Sequence, residues 1–74
     1  MLKKNLTRYK LIDEHINAVK KGEYEVGRDL LQLLRKGQIK VGLNDTGFQM
    51  ECIAEKAGCR ISYSRNYNIA TIAI

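Results

Sequence analysis

Few side chains in this sequence could do chemistry, and their spacing restricts what that chemistry is. His15 is the only histidine, and the two cysteines, Cys52 and Cys59, stand seven residues apart. A closed zinc site needs four nitrogen or sulfur ligands, so no metal and no cofactor is expected. His15 is expected on the flank of a helix. A nucleophilic cysteine needs a basic, partly exposed setting that favours its thiolate. Cys52 lies near Lys56 and Cys59 beside Arg60, but the expectation for both is a small buried thiol. Asn44-Asp45-Thr46-Gly47 contains the DTG triplet of aspartic proteases, yet Asp45 has no evident second carboxylate with which to share a proton. The same four residues are good turn and helix-capping residues, and that is the role expected of them. The chain has no GxSxG, phosphate-binding loop or GxGxxG. No enzymatic activity is expected.

The other chemistry on offer is positive charge. KKNLTRYK places Lys3, Lys4, Arg8 and Lys10 around Tyr9, with no acid before Asp13. Clustered cations bind phosphates, and an aromatic ring can stack on a base. The bland counterpart is a solvated helix start in which Lys10 pairs with Glu14 one turn on. The formal net charge is +5. Through Lys40 there are ten basic and five acidic residues, and after it three of each, so the whole excess lies in the first half. Such asymmetry points towards a polyanionic partner, although charge of this size also serves solubility. The residues expected to contact nucleic acid are Lys3, Lys4, Arg8, Lys10, Lys40, Arg60 and Arg65. The chain has no RNP signature and no helix-turn-helix pattern.

The elements that must position these residues are legible as periodicities. From about Asn5 to Lys21, Leu6, Tyr9, Ile12, Ile16 and Val19 recur every three or four residues, which predicts a helix with one buried stripe. Gly22 stops it after Lys20-Lys21. A second helix is predicted over Tyr24 to Lys36, with Val26 or Gly27, Leu30, Leu31 and Leu34 inward and Leu33 beside them. Gly27, inside that helix, marks either a close helix contact or a late start. QIKVGL then alternates with period two and predicts a strand whose Ile39, Val41 and Leu43 point inward. After the Asn44–Gly47 turn, a third helix is predicted over about Phe48 to Ala57, with Met50, Ile53, Ala54 and Ala57 inward. A strand at Cys59–Ser64, a turn at Arg65–Asn68 and a last strand at Ile69–Ile74 complete an ααβαββ order.

The chain of 74 residues is one domain, 1–74, made of two helices (5–36) and a βαββ unit (38–74). Its apolar content of 45% and charged content of 28% suit a folded chain. The first two strands flank a helix, so a right-handed crossover would make them parallel. The last strand is apolar on both faces, which demands cover on both. It either enters between the other two, antiparallel to both, or forms an edge covered by a second subunit. The fold class expected is therefore α+β, a three-stranded mixed sheet of order 1-3-2 with the C-terminal strand central and the helices mainly on one face. The open face would show Lys40, Gly42, Arg60, Ser62, Ser64, Thr71 and Ala73.

From Arg35 to Ile74, the order glycine, strand, turn, helix, glycine, hairpin resembles the C-terminal half of the TusA/SirA sulfur-carrier family. That family carries its sulfur on the cysteine of a CPxP motif. No cysteine or proline precedes Gly37 here, so the resemblance implies a fold and no sulfur chemistry. The same βαββ tail is similar to that of Alba-like and initiation-factor-3-like nucleic-acid folds.

Met1-Leu2 runs straight into Lys3-Lys4, and no apolar run is long enough for a signal peptide or membrane span, so a cytoplasmic location without membrane contact is expected. The function expected is a small non-enzymatic binding or regulatory protein of a bacterium, phage or mobile element that contacts nucleic acid. The rival expectation is a protein–protein module or inhibitor, or a homodimer, working through the open sheet face or the leucines of the second helix.

Overall fold

The computed structural model describes residues 3–74, with side chains from Asn5 onward. The elements are α1 (Lys3–Lys20), α2 (Tyr24–Lys36), β1 (Gln38–Gly42), α3 (Asp45–Ala57), β2 (Arg60–Tyr63) and β3 (Ile69–Ala73). The sheet order is β1-β3-β2, so β3 takes the central of the two placements open to it. Gln38, Lys40 and Gly42 of β1 lie opposite Ala73, Thr71 and Ile69 of β3, and Arg60 and Ser62 of β2 lie opposite Ala73 and Thr71 from the other side. β1 and β2 run parallel to each other, but every hydrogen-bonded ladder is antiparallel because β3 separates them. The pairing is thus antiparallel throughout and not mixed.

Helices α2 and α3 cover one face of the sheet, and α1 packs on α2 and α3. The core between these layers comprises Leu11, Leu30, Leu33, Met50 and Ile72, all fully buried, with Val26, Val41, Ala54, Ala57 and Ala70 around them. Leu33 belongs to this core, whereas Leu31 is exposed. Helices α2 and α3 each end on a glycine in the left-handed region, Gly37 at φ 79° and Gly58 at φ 90°, whose N–H groups close the last turn.

α3 begins at Asp45, three residues before the predicted start, because the Asn44 side chain caps it by accepting from the Gly47 N–H at 3.0 Å. Gly47 is required there for space: a Cβ at that position would lie 1.6 Å from the Gly42 carbonyl oxygen. The DTG triplet is thus the first turn of α3, behind the Asn44 cap. At the hairpin, Ser64 Oγ donates to Asn68 Oδ1 and accepts from the N–H groups of Asn68 and Ile69. Tyr67 takes a positive φ of 55° in that turn and packs its ring 5.7 Å from that of Tyr63.

The orientation of α1 overturns the expectation for its stripe. Leu6, Tyr9, Ile12, Ile16 and Val19 all face outward, each between 41% and 57% exposed. The inward face is Thr7, Leu11 and Ala18 instead. The physical reason is the close approach of α1 to α2. A Cβ at Gly27 would meet Val19 Cγ2 at 3.3 Å and the Ala18 Cβ at 3.9 Å, so the two helices meet at their smallest residues. His15 Nδ1 donates to the Gly27 carbonyl at 2.8 Å across the same contact. Gly27 therefore marks a helix contact, not a late helix start.

Candidate functional site

The cations can be placed from the contacts that join the element ends. At one end of the molecule, Arg8 Nη1 donates to the Leu34 carbonyl at 3.0 Å, which ties the start of α1 to the end of α2. A Cβ at Gly58 would lie 3.2 Å from Thr7 Oγ1, which puts the end of α3 against the same part of α1. The Ile74 N–H donates to the Gly37 carbonyl, and Gln38, Ala73 and Arg60 share one row of the sheet. Arg8, Arg35, Lys36, Lys56 and Arg60 therefore gather at one end, although they come from four separate elements. Their placement also suits the fold itself, because the last turns of α2 and α3 present carbonyls that favour nearby cations.

Lys40 lies one row further along the open sheet face, beside Thr71 and, beyond it, Ser62. That face is lined by small polar residues with a shallow depression bordered by Gln38, Arg60, Ser62, Thr71 and Ala73. Lys10 lies in the groove between α1 and α3, along with Asp13, Glu14 and Lys56. Lys3 and Lys4 begin α1, but their side chains lie outside the described residues. Arg65 lies elsewhere. The hairpin that carries it is joined to the end of β1 by the Leu43 N–H bond to the Asn68 carbonyl. That end also holds the α2 and α3 starts, where Thr46 Oγ1 donates to Glu25. Of the seven cations expected to act together, the structure gathers Arg8, Lys10 and Arg60 towards one end, sets Lys40 mid-strand beside the cleft with Glu25 and Asp29, and leaves Arg65 at the other end.

Sequence reasoning overlooked Arg35, Lys36 and Lys56. Their signal is their place in the last turns before Gly37 and Gly58, together with an α3 crossover that returns the chain to the same end as the α2 terminus.

The cysteines divide. Cys52 is exposed, against the expectation of a buried thiol, because it sits on the outer side of α3. Cys59 is half-buried, and burial raises its thiol pKa above the ordinary value. Burial disfavours the thiolate at Cys59, so that thiol lacks the setting of a reactive cysteine. No group of three or more metal-ligating side chains occurs among the described residues. No helix there is long and apolar enough to cross a membrane.

A polar cleft of about 340 Å³ lies between α2 and the β1–α3 turn, bordered by Glu25, Arg28, Asp29 and Lys40. Burial raises the Asp29 pKa, while the Arg28 guanidinium beside it pulls it back down. On the other side, the Tyr63 hydroxyl donates to the Glu51 carboxylate, and this bond raises the tyrosine pKa. No family model matches the chain, and no curated protein or solved structure is significantly similar to it.

Proposed function

We propose that this chain is a small non-enzymatic nucleic-acid-binding protein that holds phosphates at its cationic end. The observation that supports this reading is the gathering of Arg8, Arg35, Lys36, Lys56 and Arg60 from four elements at one end. The acids Glu23, Glu25 and Asp45 belong to the opposite end, at the starts of α2 and α3, where Lys20, Lys21 and Arg65 offset them. Glu55 is the acid in the last turn of α3, at the cationic end. A molecule polarised in this way is steered cationic end first onto a polyanion. The flat, small-residue sheet face beside Arg60 and Lys40 lets a backbone come close. Binding of this kind is indifferent to sequence unless bases are read as well, and it suits an accessory or regulatory role in the cytoplasm of a bacterium or of a phage-infected cell.

The test is fluorescence anisotropy with labelled DNA and RNA, duplex and single-stranded, at two salt concentrations. For about five phosphate contacts, affinity is expected to fall roughly 500-fold between about 50 and 200 mM salt. Charge reversal at Arg35 and Lys56 should flatten that dependence, and reversal at Arg65 should leave it unchanged. Absence of binding at the lower salt, or an equal effect of Arg65, would refute the proposal.

The second reading, a protein-binding module, has an observation of its own. Beside the open sheet face, it has the outward apolar row of α1 as a surface.

A further inference from the structure

The outward face of α1 is an apolar feature that the fold leaves uncovered among the described residues. Its row runs from Leu6 to Val19, about 20 Å along the helix. α2 adds to it. Tyr24 and Leu31, seven residues apart and so on one side of α2, are both exposed. Leu31 lies between the two points where α2 meets α1, at Gly27 with Val19 and at Leu34 with Arg8. The result is a shallow seam whose apolar lining comes from Ile12, Ile16 and Val19 on one bank and Leu31 and Tyr24 on the other. Isolated exposed aliphatic residues are ordinary, but a continuous row of this length marks an interaction surface.

Charge decides what fits the seam. Residues 3–21 carry six cations, Lys3, Lys4, Arg8, Lys10, Lys20 and Lys21, against two acids, Asp13 and Glu14. Both of those acids border the α1–α3 groove, away from the seam. The acids Glu25 and Asp29 of α2 likewise border the cleft towards β1. Exposed Arg8 and Arg35 are left to edge the apolar strip, where the start of α1 meets the end of α2. A second copy of this chain would bring cations against cations, which destabilises such a pair. A flat surface would match the outer row of α1 but would not fill the seam beside it.

We infer that the α1–α2 seam docks an acidic amphipathic helix of a partner protein. The partner's apolar stripe at i, i+3, i+4 and i+7 lies along Ile12, Ile16 and Leu31, and its flanking carboxylates meet Arg8 and Arg35. This surface meets the cationic end at Arg8 and Arg35, so a partner helix and nucleic acid would share those two residues.

The probe is a fluorescein-labelled peptide of about 18 residues with leucines at helical spacing and glutamates on its remaining positions. A matched peptide with lysine in place of glutamate is the control. The acidic peptide is expected to bind at least tenfold more tightly than the basic one. The double substitution Ile12→Ser with Ile16→Ser should weaken it at least tenfold while leaving the melting temperature within a few degrees. Arg60→Glu should leave peptide binding intact. Equal binding of the two peptides, or none, overturns the inference. So does co-sedimentation with phosphatidylglycerol vesicles that the double substitution abolishes, since the face would then be directed at lipid. A dimer in analytical ultracentrifugation that the same substitution dissolves would assign the face to a second copy, and would equally overturn it.

Discussion

Gly47 is the residue where backbone geometry leaves least freedom. Its Cα faces the Gly42 carbonyl so closely that a Cβ would have to occupy the same space, and its N–H is held by the Asn44 side chain. The obstacle is backbone on both sides, so relief requires α3 to move away from β1. Gly47→Ala is therefore expected to cost about 3 kcal/mol or more, read as a loss of midpoint in urea unfolding. Asn44→Ala, which removes only the cap, should cost about 1 kcal/mol. The cysteines give a second, independent reading at this scale. The thiolate is the attacking species, and burial disfavours it at Cys59. With iodoacetamide followed by mass spectrometry, Cys52 is expected to be labelled first at neutral pH. Cys59 should lag, and its rate should keep climbing at pH values above the ordinary thiol range. Equal rates at neutral pH would mean that Cys59 is not held against the core. Neither feature was wholly legible in the sequence: NDTG showed itself as capping chemistry, but the exposure of Cys52 depends on which side of α3 the core occupies.

α1 shows what periodicity can and cannot settle at the scale of an element. Two sets of residues in it recur at helical spacing: Leu6, Tyr9, Ile12, Ile16 and Val19, and also Thr7, Leu11 and Ala18. The first is more apolar and reads as the buried stripe. The second is buried because it is narrow, and a narrow face lets α1 approach α2 at Gly27 and the end of α3 at Gly58. Hydrophobicity alone ranks the two faces wrongly because the small residues that decide the fit lie on a different helix. The helix boundaries of α2, by contrast, were legible to the residue, since Gly22 and Gly37 bracket a single apolar period. The orientation of α1 has a direct test in stability. Leu11→Ala, at a fully buried site, is expected to cost about 2–4 kcal/mol. Ile12→Ser and Ile16→Ser, on the outward row, should each change stability by no more than about 1 kcal/mol. The opposite ranking in thermal unfolding would mean that α1 packs on the face that periodicity favours.

For the whole molecule, the position of β3 organises both the core and the charge. A strand apolar on both faces was the strongest long-range signal in the sequence, and the sheet order 1-3-2 is the central one of the two placements it left open. Once β3 is central, β1 and β2 start at the same end, and the ends of α2 and α3 that precede them must lie there too. That is why Arg35, Lys36, Lys56 and Arg60 meet, and why no scan for contiguous basic residues finds them as a cluster. The gathering is a product of topology, so it depends on β3 holding its place. Ile72 is the side chain that holds it: fully buried, it lies between Ile39 of β1 and Ile61 of β2 on the face that the helices cover. Ile69, on the same strand, faces the open side and is 40% exposed. Ile72→Ala is expected to cost about 2–4 kcal/mol, whereas Ile69→Ala should cost less than about 1 kcal/mol. A domain of this length has a total stability of roughly 4–11 kcal/mol, so the first substitution removes a large share of it. The expected drop in melting temperature is roughly 10–30 °C for Ile72→Ala and a few degrees for Ile69→Ala. Near-equal drops would mean that β3 is not sandwiched between its neighbours, and an edge position would separate β1 from the register that brings Gln38 and Arg60 into one row.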